Sequence, residues 1–233
     1  MNVLITGASK GMGESISMNM AAQGYHLCIC ARKLSDLNLL KAKIHSNYPD
    51  VSVYVKVVDC SVEAEVLAFA DFAIEQMGTI DILVNNVGVF KPAFILDESF
   101  DALDYHMRTN VYAAYFLYKK LGPGMKERRK GSIFNICSVA SKDTIANAGS
   151  YCVTKSALLS LNHIMRKEMM AHDVKVTAIL PGSTLTSSWE GTSINPDEFI
   201  QPEDVALAIE NVMKMSMGAN VEEIMIRPLH GQI

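Results

Sequence analysis

Short apolar runs alternate along the whole chain with longer stretches in which apolar residues recur every three or four positions. The short runs, at 3–6, 26–31, 51–58, 82–84, 132–136, 175–180 and 224–226, are rich in Val and Ile and apolar at most positions. Successive side chains of a strand point to opposite faces, so a run without polar alternation predicts a strand covered on both sides, as in a parallel sheet. The longer stretches, at 12–23, 36–47, 62–77, 109–127, 150–171 and 202–215, predict helices. Gly24 and Gly78 stand where two of these should stop, and Ser35 and Ser61 where two should be capped. Pro202, Glu203 and Asp204 make a first helical turn suited to the helix dipole. Strand–helix alternation from end to end predicts one α/β domain: a Rossmann-type, doubly wound parallel sheet of about seven strands with helices on both faces. The ligand site of such a sheet is expected beyond the carboxyl ends of its strands.

Composition removes several function classes. With 233 residues, 49% apolar and 20% charged, the chain can bury a core that needs neither disulfide nor metal. A net charge of −4 argues against nucleic acid as a partner. The one dense basic stretch, 126–130, falls at a predicted helix C-terminus, where its charges complement the dipole. No apolar run approaches the ~20 residues that span a bilayer, and a strand pattern opening at Val3 predicts no signal peptide and no membrane partner. Cys28, Cys30, Cys60, Cys137 and Cys152 lack CxxC or Cys/His metal spacing, which predicts reduced thiols, a cytoplasmic protein and no metal site.

Candidate chemistry gathers at strand ends. The first strand runs into Thr6-Gly7-Ala8-Ser9-Lys10-Gly11-Met12-Gly13 and then a helix. Glycines there permit a tight turn and close approach of backbone to a pyrophosphate, held by the N–H groups and positive dipole end of the helix. The second strand ends in Ala31-Arg32-Lys33, without the carboxylate that would bind the ribose 2′-hydroxyl of NAD. Arg32 offers a planar fork for a 2′-phosphate, with Lys10 as a second positive charge, which favours NADP(H) over NAD(H). Farther along, Tyr151 and Lys155 stand four apart in a helical pattern and so share one face. A free phenol has a pKa near ~10, and a neighbouring ammonium would bring it toward the range useful for proton transfer.

These elements occur together with Asn85-Asn86-Val87-Gly88 after the fourth strand and Asn110 opening a helix in Thr109-Asn110-Val111. Ser138 follows the fifth strand, thirteen residues before Tyr151, and Pro181-Gly182-Ser183-Thr184-Leu185-Thr186 follows the sixth. In this order they resemble the short-chain dehydrogenase/reductase family over nearly the whole chain, with Val87 standing where the family usually has Ala. The resemblance implies an oxidoreductase that moves hydride between nicotinamide and a small-molecule ketone or alcohol. In it Tyr151 exchanges a proton with the substrate oxygen, and Lys155 lowers the tyrosine pKa and binds the nicotinamide ribose. Ser138 orients the carbonyl, and Asn110 holds a water that resupplies protons through Lys155. The implied coenzyme contacts are Gly7, Ser9, Lys10, Gly11, Met12, Gly13, Arg32, Asp59 beside the adenine, Asn86, Val87, Gly88, Tyr151, Lys155, Pro181, Gly182, Thr184 and Thr186.

Residues 183–200, with the only tryptophan, Trp189, are expected to form a lid over the substrate. Phe90, Phe94, Val139, Ile145 and Leu185 are candidates for apolar pocket walls. The closing stretches at 202–205 and 221–228 resemble compact bacterial reductases, among them sepiapterin reductase-like proteins and 3-oxoacyl-carrier-protein reductases. A pterin carbonyl therefore stands as an alternative substrate, and a non-catalytic NADP(H)-binding sensor as an alternative function, because fold alone does not fix function. A homodimer or homotetramer is implied through helices 109–127 and 150–171, with Leu117, Tyr118, Leu158 and Leu161 as candidate contacts.

Overall fold

Leu4 points to one side of a parallel sheet and its neighbours Val3 and Ile5 to the other, and helices cover both sides. A computed structural model describes residues 1–231. Its strands are β1 (Asn2–Ile5), β2 (His26–Ala31), β3 (Val53–Val57), β4 (Ile82–Asn85), β5 (Gly131–Ile136), β6 (Val174–Pro181) and β7 (Glu223–Ile226). They pair in the order β3-β2-β1-β4-β5-β6-β7, every pair parallel. The helices are α1 (Gly11–Ala22), α2 (Leu34–Asn47), α3 (Glu63–Met77), α4 (Ala102–Met107), α5 (Ala113–Arg128), α6 (Gly149–Met169) and α7 (Pro202–Met213). No helix among the described residues is long and apolar enough to cross a membrane.

The absence of polar alternation in the strands is thereby explained. Val3, Ile5, Leu27, Ile29 and Val84 pack against Ile16, Leu37 and Ile209 of α1, α2 and α7. Leu4, Cys28, Cys30, Leu83 and Ile133 pack against Phe69, Leu117 and Met165 of α3, α5 and α6. Each fully buried side chain of this kind contributes about 1.5–3 kcal/mol against exposure. Sequence order along the sheet reverses at β1, which pairs with both β2 and β4. At such a switch point the connections diverge to opposite faces and leave a crevice beyond the strand ends.

Three buried amides tie α6 to the sheet. Asn85 of β4 donates to Asn135 of β5 (2.8 Å), which donates to Asn162 of α6 (2.9 Å). In a low-dielectric interior such a chain of bonds is strong when complete and costly when broken.

α1 and α3 stop at Gly24 and Gly78, and Pro202 opens α7, as the sequence predicts. Three expectations need correction. α2 begins at Leu34, so Ser35 lies inside its first turn and does not cap it. Ser61 gives its N–H and hydroxyl to Asp59 Oδ1 (2.9 and 2.7 Å), so α3 starts after Val62 without a side-chain cap. The helix expected at 109–127 begins seven residues earlier, at Ala102, and Asn110 lies in a π-turn (Arg108–Tyr112) between α4 and α5 rather than at a helix start. Its early turns bury the polar residues His106, Thr109 and Asn110 while Leu103 is exposed. An apolar period is therefore missing exactly where the helix begins, which hides its start from the sequence.

Candidate active site

Beyond the ends of β1 and β4 opens a cleft of about 780 Å³, within the usual range for cofactor sites. Among the positions the sequence singled out, Gly7, Ser9, Lys10, Gly11, Met12, Gly13, Arg32, Asp59, Asn86, Val87, Gly88 and Thr186 line it. The loop between β1 and α1 is shaped for a ligand that touches backbone. Gly7 has φ +61°, and a Cβ at Gly13 would lie 2.1 Å from the Gly7 carbonyl oxygen. Lys10, the N-cap of α1, has extended backbone and makes no side-chain cap, so the first N–H groups of the helix lack an internal acceptor. A dinucleotide pyrophosphate fits such a cradle.

The neighbouring strand end holds this loop in place. Asn86 gives its side-chain N–H groups to the carbonyls of Thr6 and Gly7 (both 2.9 Å). The Thr6 hydroxyl accepts the N–H groups of Asn86 and Val87 (3.1 and 3.0 Å). Across the cleft, the Thr186 methyl packs where a Cβ on Gly11 would meet it at 3.0 Å.

At the β2 end, Arg32 and Lys33 are exposed along the cleft rim and no carboxylate occupies the strand terminus itself. Lys10 reaches Asp36 of α2 (3.4 Å), a cleft residue that no motif in the sequence marks. The Asp59 carboxylate accepts both bonds from Ser61. Burial works against its ionisation, but the Ser61 bonds and the nearby Arg32 charge hold its pKa below the ordinary value.

The reacting end lies on α6 and on the turn after β5. Ser138 caps a short 3-10 turn (Val139–Ser141): its hydroxyl oxygen accepts Ala140 N–H (3.1 Å) and its own N–H goes to Ser141 Oγ (3.2 Å). The Ser138 hydrogen is thus aimed away from the turn, and the hydroxyl acts on the Tyr151 phenol by drawing its pKa down. Phe90 packs edge-on to the Tyr151 ring (centroids 4.9 Å, 71°), and Ile145 joins the small apolar cluster beside it. Lys155, 3% exposed, follows one turn later and donates to the Ile136 carbonyl (2.8 Å), with Nζ 5.7 Å from the Tyr151 ring centre.

Burial pushes the Tyr151 phenol up to about 12, the neighbouring thiols of Cys137 and Cys152 add to this, and only the Ser138 bond acts downward. Burial brings Lys155 down to about 8. The ammonium flanks the ring, tied to a carbonyl, and burial is the largest influence on the phenol.

Asn110 is 2% exposed, with its amide fully engaged. It accepts Val89 N–H (2.8 Å) and donates to Val89 O and Thr154 Oγ1 (both 3.1 Å). Between this amide and Lys155 lies Gly88, where a Cβ would be 3.4 Å from Lys155 Nζ. Gly88 is cleft wall on one side and lysine neighbour on the other, so the two halves of the site share it.

Pro181, Gly182 and Thr184 lie at the β6 exit, outside the cleft lining: Gly182 N–H binds Ile226 O (2.8 Å) and Thr184 Oγ1 binds Gly182 O (3.0 Å). The ends of segment 183–200 are zipped by a parallel bridge between Thr184 and Ile200, and Trp189 packs edge-on to buried Phe199 (4.9 Å). Val139 is buried beneath the site, whereas Phe94 is exposed. Tyr105 and Thr109 also line the cleft; Tyr105 lies in the part of the helix hidden from the sequence, and Thr109 beside Asn110 in the motif at 109–111. No trio of His, Cys, Asp or Glu among the described residues could hold a metal ion.

Comparison with known proteins gives concordant results. A family model described as short chain dehydrogenase matches residues 1–196. A sepiapterin reductase of Chlorobaculum tepidum is 30% identical over 239 residues, covering 99% of this chain and 97% of that protein. An uncharacterized oxidoreductase of Staphylococcus haemolyticus is 26% identical over 226 residues, covering 97% and 96%. Among solved structures, an alcohol dehydrogenase from the archaeon Thermococcus sibiricus, complexed with 5-hydroxy-NADP, superimposes with a TM-score of 0.92 at 25% identity, covering 100% of this chain and 98% of that one. A metagenomic short-chain oxidoreductase in complex with NADP gives a TM-score of 0.85 at 25% identity, covering 98% and 96%.

Proposed function

The chain belongs to the short chain dehydrogenase family, and on that footing we propose that it is an NADP(H)-dependent oxidoreductase acting on a small-molecule ketone or alcohol, with Tyr151 as the acid–base group. The observation that carries this reading is that Lys155 lies behind Gly88, a wall residue of the cleft whose other walls are the glycine loop and a cationic rim, and beside the Tyr151 ring on which Ser138 acts. When bound, the coenzyme supplies or accepts the hydride; the protein supplies placement and protons.

In the reductive direction Tyr151 is protonated at neutral pH, as a proton donor must be, and passes its proton to the carbonyl oxygen. The Ser138 hydroxyl, oriented by Ala140 N–H, donates to the same oxygen as negative charge develops. Lys155 keeps one N–H on Ile136 O and has two left for ribose hydroxyls, while its charge offsets the phenolate that remains. Asn110 holds the β4 loop and α6 together through Val89 and Thr154, so we assign it to the scaffold of the proton path. Arg32, with Lys10, takes the 2′-phosphate. The NADP ligands of the two neighbours above support that choice.

Similarity to a sepiapterin reductase favours a second reading within the same chemistry, a pterin-borne side-chain ketone as substrate. A homodimer or homotetramer fits a wholly apolar hollow of about 320 Å³ between α5 and α6, lined by Tyr112, Tyr115, Phe116 and Leu161. Leu117 and Leu158, buried at 0% and 1%, belong to the core and leave that contact to the outer residues. Five free, buried cysteines suit a cytoplasmic protein.

The test is NADPH oxidation followed against ketones, aldehydes, pterins and acyl thioesters, with Tyr151→Phe alongside. The variant should bind NADPH as the parent does and lose about 10²–10⁴-fold in turnover. Retained turnover would refute the assignment, and NADPH binding without turnover of any compound class would favour the sensor.

A further inference from the structure

The helix that carries Tyr151 starts without a cap of its own. Its N-cap residue is Ala148, whose side chain has no acceptor, so the first N–H groups of α6 depend on another part of the chain. Glu98, in the segment between β4 and α4, provides the acceptor. One carboxylate oxygen takes Ser150 N–H at 3.1 Å and the other takes the Ser150 hydroxyl in a short hydrogen bond. Both contacts fall on the residue next to Tyr151. A carboxylate is also the favoured charge at a helix N-terminus.

The same segment is fastened to this turn at three further points. Ala93 forms a parallel bridge with Ala148. Ile95 covers Gly149 so closely that a Cβ there would lie 2.1 Å from Ile95 Cγ1. Phe90 packs edge-on to Tyr151 itself. Residues 90–98 and the first turn of α6 therefore form one unit, and Glu98 is its polar fastening.

We propose that Glu98 is a positioning residue for Tyr151: it holds the first turn of α6 through Ser150 and so sets where the phenol stands relative to Ser138 and the substrate oxygen. The proposal rests on the reading of Tyr151 as the acid–base group. Glu98→Ala removes both acceptors. Glu98→Gln keeps the geometry, since the amide oxygen can accept Ser150 N–H while the amide N–H₂ donates to Ser150 Oγ.

The experiment measures kcat, both KM values, the melting temperature and amide hydrogen exchange for the parent, Glu98→Ala and Glu98→Gln. Glu98→Ala should lower kcat between about tenfold and 10²-fold, the scale of a small misplacement of a reacting group. KM for NADPH should not move, and exchange should accelerate at 150–153 alone. Glu98→Gln should return kcat to within about threefold of the parent, as expected if position rather than charge is what matters. Unchanged exchange at 150–153 in Glu98→Ala overturns the proposal whatever the activity. So does a Glu98→Gln variant no better than Glu98→Ala, or a parallel rise in the KM for NADPH. Failure of the acid–base reading is seen separately, as turnover retained by Tyr151→Phe while exchange still reports the fastening.

Discussion

Lys155 lies one helical turn from Tyr151 with its Nζ 5.7 Å from the phenol ring centre, yet its hydrogen bond goes to the carbonyl oxygen of Ile136 at 2.8 Å. The cation is thus held beside the ring by the last residue of β5, Ile136. Burial leaves the pair with pKa values of about 8 for the lysine and about 12 for the phenol. In the reductive direction the phenol stays protonated throughout the physiological range, and the group that titrates there is the lysine. Turnover should be level below pH 8 and fall above it as Lys155 loses its charge. A kcat–pH profile from pH 6 to 10 checks this, and in Lys155→Arg the alkaline fall should vanish. A fall that persists in that variant assigns the titration to another group.

The same lysine should be a burden on stability. Its folded pKa lies below the unfolded 10.5, so the unfolded chain binds the extra proton between pH 8 and 10.5 and stability rises with pH across that window. Below pH 8 the drop from 10.5 to about 8 corresponds to a penalty on the order of 3 kcal/mol. Lys155→Met relieves it but leaves Ile136 O without a partner, which costs about 1–3 kcal/mol. The coenzyme-free variant should melt at or a few degrees above the parent at pH 7, and lose that advantage by pH 10. Calorimetry reads both, and a lower melting temperature at pH 7 contradicts the argument.

Coenzyme choice should respond to the charged rim in two directions. Arg32→Ala should raise KM for NADPH about tenfold and leave KM for NADH nearly unchanged, because a charge-assisted bond to the 2′-phosphate is lost. Asp36→Asn frees Lys10 from an exposed ion pair worth up to ~1 kcal/mol, so KM for NADPH should fall by a few-fold at low salt. The gain should fade as ionic strength screens it. Initial rates at two salt concentrations decide the matter.

Gly13→Ala should abolish NADPH binding while the protein still folds. The new methyl meets the Gly7 carbonyl at 2.1 Å, which forces the loop off its seat at a cost of about 1–3 kcal/mol. Tight binding in a titration of the variant would show that the loop closes on the coenzyme some other way.

Much of this molecule could be read from its residues, for identifiable reasons. Strands such as β2 are apolar on both faces over most of their length and announce a two-sided core, and the glycine loop and the Tyr151–Lys155 pair are local patterns whose geometry follows from spacing. What stayed hidden depends on contacts across the chain. Glu98 lies 52 positions from Ser150, and nothing in its own neighbourhood marks it as a helix cap. The π-turn at Asn110 was invisible because the inward positions before it are polar. Ser61 looked like a cap, but Asp59, two residues earlier, accepts both of its donors.

The row of amides from Asn85 through Asn135 to Asn162 has a mechanical consequence. Sliding α6 along the sheet by a turn would break the Asn135–Asn162 bond and strand a donor and an acceptor in a dry interior, which favours one seating of the helix. The turn that carries Tyr151 is thereby the anchored bank of the cleft, facing the opposite bank where Thr186 packs against Gly11.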